Sequence, residues 1–546
     1  MSSIRDASLD SPAATASSGR ARRLALAARS GPWPVLRRDG WGRLARDPVL
    51  IGVLVAALGA VVWLVAFPRV GTDLSAQIAR ADWARHYPGS AYLFSWYDGI
   101  YPASYSLLAP YLQAVTGTRL AMAVAVVISA GLLASLLARH RVRRPRAAAV
   151  WAAVALWTEL SAGRATFTLG LTAALGCIVV ASGSWPRGRV RLPAAAGLAV
   201  LCCMLSPVAG LFLGVPAAAF LLAGRRREGL VIGAAAGLPL AAMAALPGGG
   251  VQPIGIRNAL PLLLAAAGVL ILVPRQCRMV RIGAIAYSLG VLVIWAIPTP
   301  VGSNVARLGE LLAGPLLAGL ASERRRLLLA IALIAVAGWQ VTQPVIDLGQ
   351  GNAPPYSPQT AALVRELRAL GADTARLEAV PQYGHWESQQ LSSAAPLARG
   401  WERQLDTVRN RLFYDGTLTP ASYYGWLRYN AVRYVAISAA TPDPAAVAEA
   451  AIVRAGQPWL VPVWQNAYWR LYQVAGARPL ASPPAAVTGS TPAEITLRMR
   501  RAGTTIVRVR WSPLLRGTGG AAVARHGPWT SLTVRRPGVY VLSAPY

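Results

Sequence analysis

Three aspartates, Asp73, Asp82 and Asp98, fall within residues 71–106, a stretch otherwise rich in aromatic side chains. A carboxylate held at a fixed depth beside an apolar segment can serve as a general base, taking the proton from an attacking hydroxyl. Asp73 and Asp98 are the candidates for that work, with Trp96 and Tyr97 beside them as substrate contacts. Asp73 can equally cap an amphipathic helix over residues 73–86, on whose solvated face Asp82 would lie. A departing phosphate needs cations. Isolated arginines supply them: Arg164 in Ser161-Ala162-Gly163-Arg164, and Arg307, preceded by the polar Asn304. Each also has a plainer role, Arg164 as the partner of Glu159 and Arg307 as the i, i+3 partner of Glu310.

A second group lies far downstream, in Tyr383-Gly384-His385-Trp386-Glu387 and Arg399-Gly400-Trp401-Glu402-Arg403. Indole faces beside carboxylates suit sugar rings, which makes Trp386, Trp401 and Glu387 candidate glycan contacts. Core packing is the competing role for these and for Trp426, Trp459, Trp464 and Trp469. His385 with Glu387 supplies too few ligands for a metal site. The sequence holds no phosphate-cradling Gly loop followed by Lys, no HExxH and no GxSxG.

These residues must be positioned by a chain of unusual composition. Of 546 residues, 55% are hydrophobic and only 14% charged, against about 25% charged in soluble domains. Mean hydropathy is +0.42. That excludes a disordered chain, a coiled coil and an ordinary cytosolic enzyme. The net charge of +32 comes from 54 basic residues, all of them arginine. They cluster between apolar segments, as membrane topology requires, rather than forming a nucleic-acid face. The four cysteines all lie at or before residue 277, so the later polar region has no disulfide framework. Because the first apolar stretch begins near Leu50, no cleavable signal peptide is expected.

Apolar segments predict about eleven spans, at 50–67, 104–138 (one long helix, or a re-entrant one plus a spanning one), 147–161, 166–183, 193–205, 207–223, 229–246, 258–274, 282–298, 306–321 and 327–344. Alternate connections carry the arginine clusters at 139–146, 187–191, 225–227, 275–281 and 324–326, while the others carry isolated arginines. The positive-inside rule then places the N-terminus in the cytoplasm and residues 346–546 outside. The expected architecture is a polytopic α-helical membrane protein with an extracytoplasmic mixed α/β plus β-sandwich C-terminal region. Its parts are an Arg-rich cytoplasmic leader (1–48), a transmembrane domain (49–345) with a large outer loop (68–118), an α/β domain (346–478) and a β-sandwich-like domain (479–546). Residues 349–358 read as a linker, 361–370 as an amphipathic helix, and 432–437, 469–474, 496–500, 504–511, 531–534 and 539–544 as strands. The tail is expected to fold without the membrane part.

One span, a long outer loop opening with Asp73, further spans and a polar outer tail together resemble the C-superfamily of membrane glycosyltransferases (GT-C). The stretch Trp96-Tyr97-Asp98-Gly99 followed by Pro102-Ala103-Ser104-Tyr105-Ser106 is similar to the aromatic, Pro-containing entry to the next helix in many of them. Many members carry two neighbouring acidic residues in this loop, whereas here Asp73 is followed by Leu74-Ser75. The resemblance implies transfer of a hexose or pentose from a polyprenyl-phosphate carrier to a cell-envelope glycan or lipid at the plasma membrane. It implies no cofactor, and a divalent metal is not supported by a paired acidic motif. A transporter or flippase of lipid-linked or small solutes, and a non-catalytic envelope-assembly scaffold, are the alternatives. The break at Ser206-Pro207 and the Cys202-Cys203 pair speak for transport.

Overall fold

The computed structural model describes residues 46–67, 71–140, 142–183, 188–244, 249–350 and 358–546. The leader expected over residues 1–48 lies, up to residue 45, outside the described residues, as does most of the 349–358 linker.

Apolar helices occupy each of the eleven expected segments, and among the described residues seven helices are long and apolar enough to cross a membrane. Pro48–Ala66 is typical. Asp47 caps it by accepting from Val49 N at 2.7 Å, Pro48 opens it, and no charge interrupts the run to Ala66. Its Ala56, Ala60 and Trp63 are buried against the bundle, while Leu58 and Val65 are exposed. Such an outward face suits lipid better than water.

The 104–138 segment is not one helix. Ala109–Thr116 ends at Gly117, whose φ of +81° a side chain would strain, and Thr118–Arg139 starts afresh. The break at Ser206 is tied to its neighbours by hydrogen bonds. The Ser206 hydroxyl accepts from Ala209 N, and the carbonyls it frees at Met204 and Leu205 accept from Leu107 N, Leu108 N and the Ser106 hydroxyl.

Arginine-rich connections make contacts at one end of the bundle. Arg191 and Arg225 share Glu228 at 3.0 and 2.9 Å, Arg144 pairs with Glu323, and Arg146 donates to the Arg46 carbonyl. Arg80, Arg164 and Arg307 lie at the end that carries the C-terminal region.

That C-terminal region is β-rich. Strands β1 (Arg376–Ala379), β2 (Val432–Ser438), β3 (Leu460–Gln465) and β4 (Trp469–Val474) form a sheet of order β1-β2-β4-β3, with β1 and β2 parallel. Pro358–Ala369 packs on it through Leu363 and Leu367, the period expected of its sequence. Strands β5 (Ala485–Thr491), β6 (Glu494–Met499), β7 (Gly503–Arg510), β8 (Arg516–Gly517), β9 (Ala522–His526), β10 (Trp529–Val534) and β11 (Gly538–Ser543) form two sheets, β5-β6-β11-β8 and β7-β10-β9. Their inner faces meet through Ile495, Leu497, Val507, Leu532 and Leu542.

The outer loop is built into this region. Tyr92, Phe94 and Tyr101 join the sandwich core; Trp83, Leu93, Trp96, Tyr97 and Ile100 join the core of the four-stranded sheet. Ala91 N donates to the Ala544 carbonyl and Phe94 N to that of Pro492. A domain boundary at 346 therefore leaves out residues that complete both C-terminal cores, contrary to the expectation of an independent tail.

Candidate functional site

Asp73 occupies the N-cap position of Leu74–His86, yet among the described residues its side chain makes no capping bond. Its carboxylate is directed elsewhere. One oxygen lies 3.5 Å from Arg307 Nη2 and 3.9 Å from Arg164 Nε, and the other accepts from the Trp401 indole N–H at 3.2 Å. Three residues singled out in the sequence, Asp73, Arg164 and Arg307, thus meet, and the downstream region adds a fourth group.

Backbone contacts fix this convergence. Asp73 N donates to the Ala162 carbonyl, tying the start of one helix to the end of Pro145–Ala162. The turn beyond that end is Gly163, at φ +72°, where a Cβ would fall 2.6 Å from Leu74 N. Only glycine lets the two backbones come so close. Arg164 follows directly as the first residue beyond the turn. Arg307 stands in the first turn of Ala306–Leu320, with its guanidinium 5.0 Å from the Phe167 ring centre.

The arginines are not free. Arg164 lies 3.4 Å from buried Glu159 and 3.7 Å from Glu310. So Glu159 does pair with Arg164, whereas Glu310 turns to Arg164 rather than to Arg307 on its own helix. Asp347, fully buried, accepts from Gln343 Nε2 at 2.8 Å and feels the charges of Arg164 and Asp73. The sequence signal for Asp347 was a lone carboxylate at the end of an apolar helix.

Behind Trp401 stands His385, its ring stacked on the indole at 3.3 Å between centres and 11° between planes. His385 is buried between Asp443 at 3.3 Å and Glu387 at 3.7 Å, and Arg403 completes the group 2.6 Å from Asp443. Burial by itself lowers the His385 pKa, but bonds and charge from Asp443 and Glu387 outweigh it and raise it above the ordinary 6.5. Burial likewise pushes Asp443 up, and His385 followed by Arg403 holds it well below the carboxylate range instead. His385, Asp443 and Arg403 are distant in sequence, and no local motif joins them.

The other sequence candidates lie outside this cluster. Asp98 is buried 2.9 Å from Arg376 and 3.7 Å from Arg510, and its carbonyl accepts from Arg510 N. It locks the loop to the β-rich region, with both carboxylate oxygens turned to arginines. Trp96 and Tyr97 are buried too, donating to the Ser388 and Gly400 carbonyls at 3.1 and 2.9 Å. They dock the loop onto the downstream region. Trp386 and Glu387 are 2% exposed, so neither offers a face to a glycan. Trp386 instead joins the core of the helical bundle. Asn304 donates to the Val301 carbonyl at 2.8 Å and approaches Gln252 at 3.5 Å, shaping the turn before Arg307. Asp82 is exposed, as a solvated-face residue should be.

An apolar cavity of about 690 Å³ lies among the membrane helices. Its walls include Leu308 and Gly309, next in sequence to Arg307, with Leu156, Leu171 and Tyr287, and they extend to His140, Arg143 and Arg278 at the arginine-rich end. Among the described residues, no group of three or more His, Cys, Asp or Glu side chains is arranged to hold a metal ion. No family profile and no curated protein sequence matches this chain.

Proposed function

We propose that this chain is a membrane glycosyltransferase of the GT-C type, moving a sugar from a polyprenyl-phosphate carrier to an acceptor outside the plasma membrane. The observation that carries the reading is the meeting of Asp73 with Arg164 and Arg307 beside an apolar cavity and under a polar domain. The hydrocarbon chain of the donor lies in the cavity, and its phosphate takes the place of the Asp73 carboxylate on Arg307 and Arg164. Substrate binding thereby frees Asp73 as the base.

The acceptor oxygen attacks the anomeric carbon, its proton passes to Asp73, and the carbon–oxygen bond to phosphate breaks. The two guanidiniums receive the charge that develops on the leaving phosphate. Asp73→Asn keeps the shape and the acceptor for Trp401 while removing the base, so transfer from polyprenyl-phosphate hexose and pentose donors should fall about 10²–10⁴-fold. Melting temperature should stay unchanged. An Asp73→Asn protein with undiminished transfer overturns the proposal.

One observation favours a second reading, a transporter of lipid-linked solutes: the cavity walls run to the arginine-rich end. Donor-lipid movement across reconstituted vesicles that persists in Asp73→Asn, with no transfer by the unaltered protein, would select it.

A further inference from the structure

A groove of about 580 Å³ runs between the four-stranded sheet and the β-sandwich. It is lined by the end of β4, the connecting segment Gly476–Ala481, the start of β5 and three arginines, Arg433, Arg478 and Arg500. Two more arginines reach its wall. Arg428 donates to the Gly476 carbonyl at 3.2 Å, and Arg508 to that of Pro479 at 2.7 Å. Among the described residues, none of the five has a carboxylate partner within ion-pair distance, and no acidic residue lines the groove. The neighbouring Asp373 lies against Gly489 instead. Residues 479–546, which form one side of the groove, carry nine arginines and a single acidic residue, so positive charge there meets mutual repulsion. It is felt locally: burial, then the charge of Arg478, lowers the Arg508 pKa.

Guanidiniums crowded around a cleft without counter-charges make an anion site, because each can hold a carboxylate or phosphate through paired N–H donors. Shape and lining narrow the ligand. No aromatic residue lines the groove, so bases have nothing to stack on. The larger apolar side chains Val474 and Leu480 are themselves buried, so the groove presents mainly alanine, glycine and proline rather than a bulky apolar anchor site. The concave form suits a strand better than a flat headgroup layer. We infer that this groove holds an acidic glycan strand, one bearing carboxylate or phosphodiester groups at close intervals. The inference is independent of the chemistry at Asp73.

Full-length protein in nanodiscs of zwitterionic lipid, titrated with labelled polygalacturonate, tests it. Arg478 and Arg500 are exposed, with no side-chain hydrogen bond among the described residues, so Arg478→Gln/Arg500→Gln should leave the melting temperature unchanged. That pair should weaken binding at least tenfold. Arg454→Gln/Arg470→Gln, which removes the same charge from exposed positions off the groove, should weaken it less than twofold. Arg478→Lys/Arg500→Lys should retain most of the affinity, and neutral dextran should not bind. Absence of polygalacturonate binding, or equal losses in the two Gln pairs, overturns the inference. Arg478- and Arg500-dependent capture of phosphatidylglycerol vesicles without polygalacturonate binding would overturn it in favour of a membrane surface.

Discussion

The indole N–H of Trp401 donates to the carboxylate of Asp73 at 3.2 Å, across 328 residues of chain. Through this bond the β-rich region touches the cluster at the membrane end, and the stacked ring of His385 sets the plane of the donor. Trp401→Phe keeps the stack and removes the donor. On the proposed chemistry, transfer should drop about 3- to 10-fold, in keeping with one hydrogen bond worth about 0.5–1.5 kcal/mol. Melting temperature should move little. A loss as large as that of Asp73→Asn would mean that Trp401 does more than orient.

Arg399 holds together a buried pair of carboxylates, contacting both Glu378 and Glu449 while Tyr423 donates to Glu449 at 2.8 Å. Burial pushes Glu378 well above the ordinary carboxylate range, opposed chiefly by Arg399. Arg399→Ala strands two buried acids and should destabilise the four-stranded sheet by about 3–5 kcal/mol. Chemical denaturation followed by tryptophan fluorescence measures this. A change under 1 kcal/mol would show the triad to be solvated.

His385 gives stability a pH dependence of predictable sign. Its folded pKa is raised, so the contribution is fully present below about pH 6.5 and is lost as pH rises through the higher folded value. Asp443 acts oppositely. Its depressed pKa contributes stability above the unfolded value of 3.8, lost only as pH falls below it. Melting temperatures scanned upward from pH 6 should therefore decline in the unaltered protein more steeply than in His385→Gln. Parallel curves would remove His385 from this account.

Trp96 is among the largest fully buried side chains, packed where Gly400 leaves room and bonded to Ser388. Trp96→Ala should cost about 3–5 kcal/mol and loosen the outer loop. Hydrogen exchange should quicken both in residues 89–105 and in the facing 386–401 segment. Quickening confined to the loop would mean that the two do not share a core.

The helical frame was legible because apolar runs and arginine spacing are local signals, and so were β2, β4 and the sandwich strands with their alternating residues. Asp73, Arg164 and Arg307 stood out as charges at the edges of apolar segments. The assignment failed where burial depends on distant partners. Asp98 resembles Asp73 in its surroundings, yet Arg376 and Arg510, hundreds of residues away, claim its carboxylate. Trp386 and Trp401 sit in similar motifs, but one plugs a core and the other borders the cluster. The His385–Asp443–Arg403 group joins segments that no short pattern connects.

The loop's place inside the β-rich cores sets a schedule for biogenesis. The Tyr92 hydroxyl donates to the Arg510 carbonyl, 418 residues further along the chain. At about 5–20 residues per second that partner is synthesised roughly 20–80 s later. Until then Tyr92 lacks that partner and Phe94 and Tyr101 lack the sandwich core, while Trp96 waits only for Ser388 and Gly400 and Asp73 for Trp401, 328 residues after it. The loop can be fully buried only once translation has passed the sandwich, so a ribosome stalled before it leaves a protein with an exposed aromatic loop. Quality-control factors that bind unburied aromatic segments would meet that loop first.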